Sequence, residues 1–237
     1  MTPRRSKWRA YLLLSRISNL PTVWSNVIAG AVVSGAAVMP FEIGRLAAGV
    51  SFLYTAGMFL NDVFDREFDR THRPDRPIPA GDVSQKTAAR AAALLIGAGL
   101  FLISAQSGAL SSRVWAAGLV GAIIYYNWRH KRDPLGPLWM GLCRGLVYCV
   151  AAAAVAATVS PRVLLAAAVM TAYVVLLTQI AKRLGQRASV AVPLLLAGIS
   201  VVDAVIVAVA GGGVPLVLLA LVCAVLTLGF QRIVPGT

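Results

Sequence analysis

The sequence predicts an all-α, polytopic membrane protein: a bundle of about eight transmembrane helices. Three observations carry this. The 237-residue chain is 58% hydrophobic and only 13% charged, whereas a soluble domain carries about a quarter of its residues as charged groups. Its mean hydropathy is +0.76. Apolar runs of roughly 18 to 22 residues, the length that crosses a bilayer as a helix, recur throughout. Period-two alternation, the mark of an outer-membrane barrel, is not visible.

The first span, 18–39, carries Asn19, Trp24, Ser25 and Asn26 and stops at Met39-Pro40. The second, 43–60, runs into a polar stretch from Asn61 to Gly81, after which Asp82 or Ser84 caps the third span, 86–106; Gln85 three residues after Asp82 resembles a capping box. Ser107-Gly108 separates it from the fourth span, 110–128. A basic loop leads into the fifth, 136–158, which contains Arg144. Ser160-Pro161 opens the sixth, 161–181. The seventh, 189–210, holds Asp203, and Gly211-Gly212-Gly213 precedes the eighth, 213–233. Residues 1–237 read as a single domain with no soluble insert. No cleavage site followed by a soluble domain marks a removed signal peptide.

The net charge of +13 is scattered among loops, which argues against nucleic acid as a partner and for a topology signal. With the N-terminus inside, nineteen Lys/Arg fall in inside segments, from Arg4 to Arg232, and three outside: Arg45, Arg113 and Arg162. That bias places both termini and the Asn61–Gly81 stretch on the cytoplasmic face of an inner membrane, with lipid as surroundings. Cys143, Cys149 and Cys223 fall in apolar runs without metal spacing and read as buried thiols.

The stretch "NDVFDREFDRTHRPDRPIPAG" holds four of the nine acidic residues in its first nine positions. Asp62, Asp65 and Asp69 stand at i, i+3 and i+7 and share a helix face. Aligned carboxylates repel one another. A divalent cation relieves that repulsion, and hard oxygen ligands suit Mg²⁺, which takes one or two carboxylates plus phosphate oxygens. Arg66, Arg70, Arg73 and Arg76 supply guanidinium forks for phosphate, and Pro74, Pro77 and Pro79 stiffen their loop. A plainer reading stands beside this one: a solvated loop laced by Asp62–Arg66 and Asp69–Arg73 pairs at i, i+4.

These residues resemble the UbiA superfamily of intramembrane prenyltransferases. Asn61-Asp62-x-x-Asp65-x-x-x-Asp69 followed by Arg76-Pro77-Ile78-Pro79-Ala80-Gly81 is similar to that family's first aspartate-rich motif. "RISNLPTVWSNVIAG" resembles its first span and "YYNWRHKRDPLGPLWMGLCRGL" its fourth-to-fifth loop; "MGLCRGL" is nearest an EboC-like branch. The resemblance implies a helical bundle around a central cavity, open sideways to lipid. It implies transfer of an isoprenyl group from a prenyl diphosphate to an aromatic or other lipophilic acceptor, with Mg²⁺ as cofactor. Asn61, Asp62, Asp65 and Asp69 would then hold the metal, the three aspartates being the catalytic set, and Arg73 and Arg76 would contact phosphate. Further substrate contacts are expected from Asn26, Arg129, Lys131 and Arg144.

The chain departs from the family at "LLTQIAKRLGQRASV", where a second aspartate motif would stand and no carboxylate occurs. Lys182, Arg183 and Arg187 are there instead. One reading has Lys182 and Arg183 gripping phosphate directly; another has them as ordinary inside charges. A third keeps the pocket without catalysis, as a protein that binds or transports a prenylated or lipophilic precursor. Tyr125 and Arg129, and Tyr126 and His130, share the spacing of the family's Tyr and basic residue. The eight spans compare with nine usual in the family. Asp203 is expected to be hydrogen-bonded between helices or to line the acceptor side.

Overall fold

The computed structural model describes residues 5–37, 39–106, 109–184 and 188–234. Among them the helices are α1 (Lys7–Ser15), α2 (Leu20–Val33), α3 (Pro40–Phe64), α4 (Arg66–His72), α5 (Gln85–Gln106), α6 (Leu110–Arg129), α7 (Gly136–Ala156), α8 (Pro161–Leu184), α9 (Ala188–Val209) and α10 (Val214–Gln231). No strand occurs among the described residues. The expected breaker Ser107-Gly108 lies outside them, as do Arg4 and Arg187.

Six of these helices, α3, α5 and α7 to α10, are long and apolar enough to cross a membrane, and the chain is an integral membrane protein. The expected count of about eight is therefore approximate. The first span is the clearest correction. It consists of a short 3-10 turn, Ile17–Asn19, and a 14-residue α2, which ends early because the chain turns at Ser34 and at Gly35, whose φ of +76° favours glycine. Ten of the fourteen α2 residues are buried, so α2 packs inside the bundle against α7, α9 and α10 rather than facing lipid. The short helix α1 was not foreseen, while α4 continues the helix expected through Asp69.

Sequential neighbours pair as hairpins, α3 with α5, α7 with α8 and α9 with α10. Small residues set how closely the helices approach. A Cβ on Gly30 of α2 would lie 2.7 Å from the Cα of Tyr148 on α7, and one on Gly141 would lie 2.7 Å from the carbonyl oxygen of Thr171 on α8. Without lipid–protein hydrophobic contrast, such close packing is what holds membrane helices together. Outward-facing Leu94, Phe101, Leu165 and Val225 leave an apolar exterior.

The polar ends of α3, α6 and α8, the starts of α5, α7 and α9, and all of α1 and α4 meet at one end of the bundle. Ser84 caps α5, its hydroxyl accepting from the Thr87 amide at 3.1 Å. Gln85 is turned instead to Arg66, whose Nη1 donates to it at 2.8 Å. Asp203 sits fully buried in α9; it accepts from Ser25 Oγ at 2.6 Å and from Asn26 Nδ2 at 2.8 Å, and the Tyr148 hydroxyl donates to its other oxygen. It is thus hydrogen-bonded between helices, the first of its two expected settings. The three cysteines are free thiols.

Candidate functional site

The aspartates are built by a near-continuous helix. Asp65 joins α3 to α4, yet its amide donates to the Asn61 carbonyl at 2.9 Å and the Asp69 amide to the Asp65 carbonyl at 2.8 Å. Helical phase is therefore kept, and Asp62 and Asp69, two turns apart, face the same way. Both are buried, at 5% and 1% exposure. Their oxygens converge on a single atom: Arg76 Nη1 donates to Asp62 Oδ1 and to Asp69 Oδ2, each at 3.1 Å. The loop returns Arg76 to the helix through backbone bonds from Ala80 to Arg76 and from Val83 to Pro77, with Gly81 at φ +79° closing the turn. The i, i+4 pairs Asp62–Arg66 and Asp69–Arg73 do not form; Arg66 pairs with Glu67 instead.

A second cation comes from a place the sequence reading treated only as topology. Arg16 ends α1 with φ 44° and ψ 47°, a left-handed conformation that costs an L-residue about 1–2 kcal/mol. Its Nη2 donates to Asn61 Oδ1 at 2.9 Å and lies 3.4 Å from Asp62 Oδ1.

Asp65 points elsewhere, to the loop after α6. Lys131 Nζ stands 2.9 Å from its Oδ1 and His130 Nε2 3.5 Å from its Oδ2. Lys131 also sits 3.6 Å above the Phe68 ring, a cation–π contact. Burial pushes the Asp65 carboxyl upward, but hydrogen bonds from His130 and Lys131 outweigh it and hold the group below the usual carboxylate range.

These residues open onto a cavity of about 510 Å³. Its polar end is lined by Arg16, Asn61, Asp65, Asp69, Arg73 and Arg76, with His130 and Lys131 beside them. Farther in, the wall is apolar, from Val23, Val50, Leu119, Val147 and Val174, interrupted by Arg144. Asn127 lines the same cavity. Its Nδ2 donates to the carbonyls of Gly57 and Ile123, while its buried Oδ1 has no partner among the described residues. An unmet buried acceptor costs about 1–3 kcal/mol.

A cation fits this mouth. The two carboxylates already close on one guanidinium nitrogen, and the donors are hard oxygens. Among the described residues no three His, Cys, Asp or Glu side chains gather as an all-protein metal cage; Mg²⁺ does not require one, since phosphate oxygens complete its shell.

A profile described as the UbiA prenyltransferase family matches residues 19–235. The chain belongs to that family. Among curated relatives, the digeranylgeranylglyceryl phosphate synthase of Halobacterium salinarum strain R1 is 32% identical over 167 residues, covering 70% of this chain and 60% of that protein. The 4-hydroxybenzoate octaprenyltransferase of Pectobacterium atrosepticum is 32% identical over 131 residues, covering 50% and 43%. The chain thus spans 43% to 60% of the length of these two relatives. A solved UbiA homolog from Archaeoglobus fulgidus bound to DMAPP and Mg²⁺ shares the fold at TM-score 0.63 and 16% identity, covering 94% of this chain and 86% of that one.

Of the residues singled out in the sequence, the UbiA-family cavity gathers Asn61, Asp65, Asp69, Arg73, Arg76, Lys131 and Arg144 on its wall, with Asp62 just behind Arg76. Asn26 is fully buried off the wall and reaches the cavity through Arg144. Arg129 is exposed and lies over the Trp128 ring at 5.3 Å. Lys182 and Arg183 are exposed on the last turn of α8, whose cavity-lining positions are Val174, Leu177, Thr178 and Ala181. Neither of them lines the cavity. Arg16 and Asn127 were missed as site residues, and His130 was noted only for its spacing from Tyr126; the readable signal for Asn127 was its spacing from Lys131, i, i+4 on α6 and its exit.

Proposed function

We propose that this single-domain chain is a Mg²⁺-dependent membrane prenyltransferase, moving an isoprenyl group from a prenyl diphosphate to a lipophilic acceptor, with its site on the cytoplasmic face. The observation that carries the reading is one cavity with a buried carboxylate and guanidinium mouth and an apolar interior. In it Asn61, Asp62, Asp65 and Asp69 would hold the metal. When bound, Mg²⁺ supplies Lewis-acid charge to the departing diphosphate.

The chain's own residues do the rest. Arg76 and Arg16 are held at the carboxylates by charge-assisted bonds and lie within reach of a diphosphate entering the mouth. Arg73 and Lys131 add positive charge on the wall. Together they stabilise negative charge on the leaving diphosphate as the allylic C–O bond breaks. Val23, Val50 and Leu119 keep water from the allylic cation until the acceptor attacks. Asp65, held ionised by Lys131, keeps the mouth from becoming purely cationic.

One observation favours a second reading. Each aspartate already has a basic partner, so the mouth is electrically closed without a metal and suits a protein that only binds a phosphorylated lipid. Purified protein in nanodiscs, given Mg²⁺, geranyl diphosphate and a panel of acceptors, decides between them. Pyrophosphate release that falls at least about a hundredfold, the scale of one lost electrostatic contact, in Asp62→Ala supports transfer. Mg²⁺-linked binding without release supports carriage.

A further inference from the structure

Beside the mouth lies a second cavity, of about 260 Å³. It opens where the end of α3 meets the exit of α6, two helices that pack against each other. Phe64, the last residue of α3, and Trp128, near the end of α6, line it together with Arg132, and none of these three lines the first cavity. Asp65, Asn127, His130 and Lys131 line both and so form the wall between them.

The turn that carries the cations is held by its own backbone. The Arg132 and Asp133 amides donate to the Arg129 carbonyl at 2.8 and 2.9 Å, and the Asp133 carboxylate accepts from the Leu135 amide at 2.9 Å. Asp65, the acidic member of the lining, is met by Lys131 at 2.9 Å, and an ammonium has N–H donors left over after one such contact. Arg132 is exposed, and among the described residues no ion pair or side-chain hydrogen bond holds its guanidinium. The pocket therefore keeps a positive charge after its carboxylate is balanced. Its aromatic rim is open: Phe64 and Trp128 are both exposed. Tryptophan in a membrane protein favours the depth of the lipid headgroups, and basic pockets between membrane helices take anionic headgroups.

We propose that this second pocket binds an anionic membrane phospholipid, with Arg132 and Lys131 donating to its phosphate and Phe64 and Trp128 lying against its glycerol and upper acyl chains. The guanidinium fork matches phosphate oxygens. The aromatic rim selects a lipid over a free phosphate ion, because only the lipid brings apolar surface to cover it. A choline head would bring a second cation toward Arg132, so the pocket favours a head without one. The site lies outside the central cavity and does not depend on the transfer reaction.

The test is lipid binding to the full chain in detergent, counted by native mass spectrometry without metal or prenyl diphosphate. Dioleoyl phosphatidylglycerol is set against dioleoyl phosphatidylcholine, and glycerophosphoglycerol, the same head without acyl chains, is added as a competitor. The first phosphatidylglycerol is expected to bind at least about fivefold tighter than phosphatidylcholine, the scale of one basic side chain at an anionic headgroup. Arg132→Gln should remove that preference by weakening phosphatidylglycerol alone, and Arg132→Lys should keep part of it. Arg90→Gln is the matched control, since Arg90 is exposed on α5 and lines neither cavity; it should leave the preference unchanged. Equal affinity for the two lipids in wild type overturns the proposal, and that comparison needs no variant. A preference that survives Arg132→Gln overturns it as well, as does equal weakening in Arg90→Gln, which marks general attraction to a basic protein. Glycerophosphoglycerol binding as tightly as the intact lipid overturns the lipid as occupant in favour of a soluble phosphate.

Discussion

Arg76 places one nitrogen between two buried carboxylates, and that geometry sets what its loss does. Arg76→Met leaves Asp62 and Asp69 without their shared donor. Breaking a buried pair from one side costs about 3–5 kcal/mol, so the variant is expected to lower the midpoint of thermal unfolding in detergent; adding Asp62→Asn and Asp69→Asn should recover much of the loss. Asp65 supplies a pH signature. Its carboxyl is held below the ordinary value of 3.8 because hydrogen bonds from His130 and Lys131 outweigh burial. A depressed carboxylate contributes stability that is fully present above the unfolded value and is lost as pH falls through the folded one. The stability advantage of wild type over Asp65→Asn should therefore be level from neutral pH down to about 4 and vanish below it, as read by melting curves across that range. A level advantage persisting in acid would show that Lys131 and His130 do not hold the charge.

At the scale of elements, α2 and α8 decide the shape of the cavity. Gly30 lets α2 lie against the backbone of α7, which puts Asn26 beside Arg144. Gly30→Val should cost about 1–3 kcal/mol by overpacking and separate that pair, measurable as a lower midpoint in detergent. Along α8, Thr178 and Ala181 line the cavity, whereas Lys182 and Arg183 are exposed and do not. Exchanging both, Lys182→Gln with Arg183→Gln, should leave the affinity for geranyl diphosphate within about twofold, since neither lines the cavity and water screens exposed charges. A tenfold loss in calorimetry would return these cations to the site.

For the whole molecule, ligand binding and stability are linked. A ligand at one hundred times its dissociation constant stabilises the fold by about 2.7 kcal/mol. Mg²⁺ with geranyl diphosphate should raise the melting midpoint of wild type, and neither alone should match the pair. In Asp62→Ala the rise should disappear. Arg16, Arg76 and Lys131, which the sequence reading counted among the expected inside charges, are also cations that face the carboxylates.

The sequence by itself determined the helical membrane class, since bilayer-length apolar runs admit one kind of span. It also determined the acidic motif and the loop that follows, because spacing along a helix is a local property: Asp62 and Asp69 do share a face, and Gly81 does turn the chain. The family follows from those same local residues. What only the tertiary structure decided is partnership. That Arg76 closes on Asp62 and Asp69, that Asp65 faces Lys131, and that Arg16 reaches Asn61 across 45 positions depend on helices meeting from distant parts of the chain. Arg144 was expected toward the cavity and lines it, but the exposure of Arg129, Lys182 and Arg183 was unreadable, because a charge near a membrane surface satisfies the topology rule whichever way it points. For Arg144, packing through Gly30 and the Asp203 network is what gives the cation its direction.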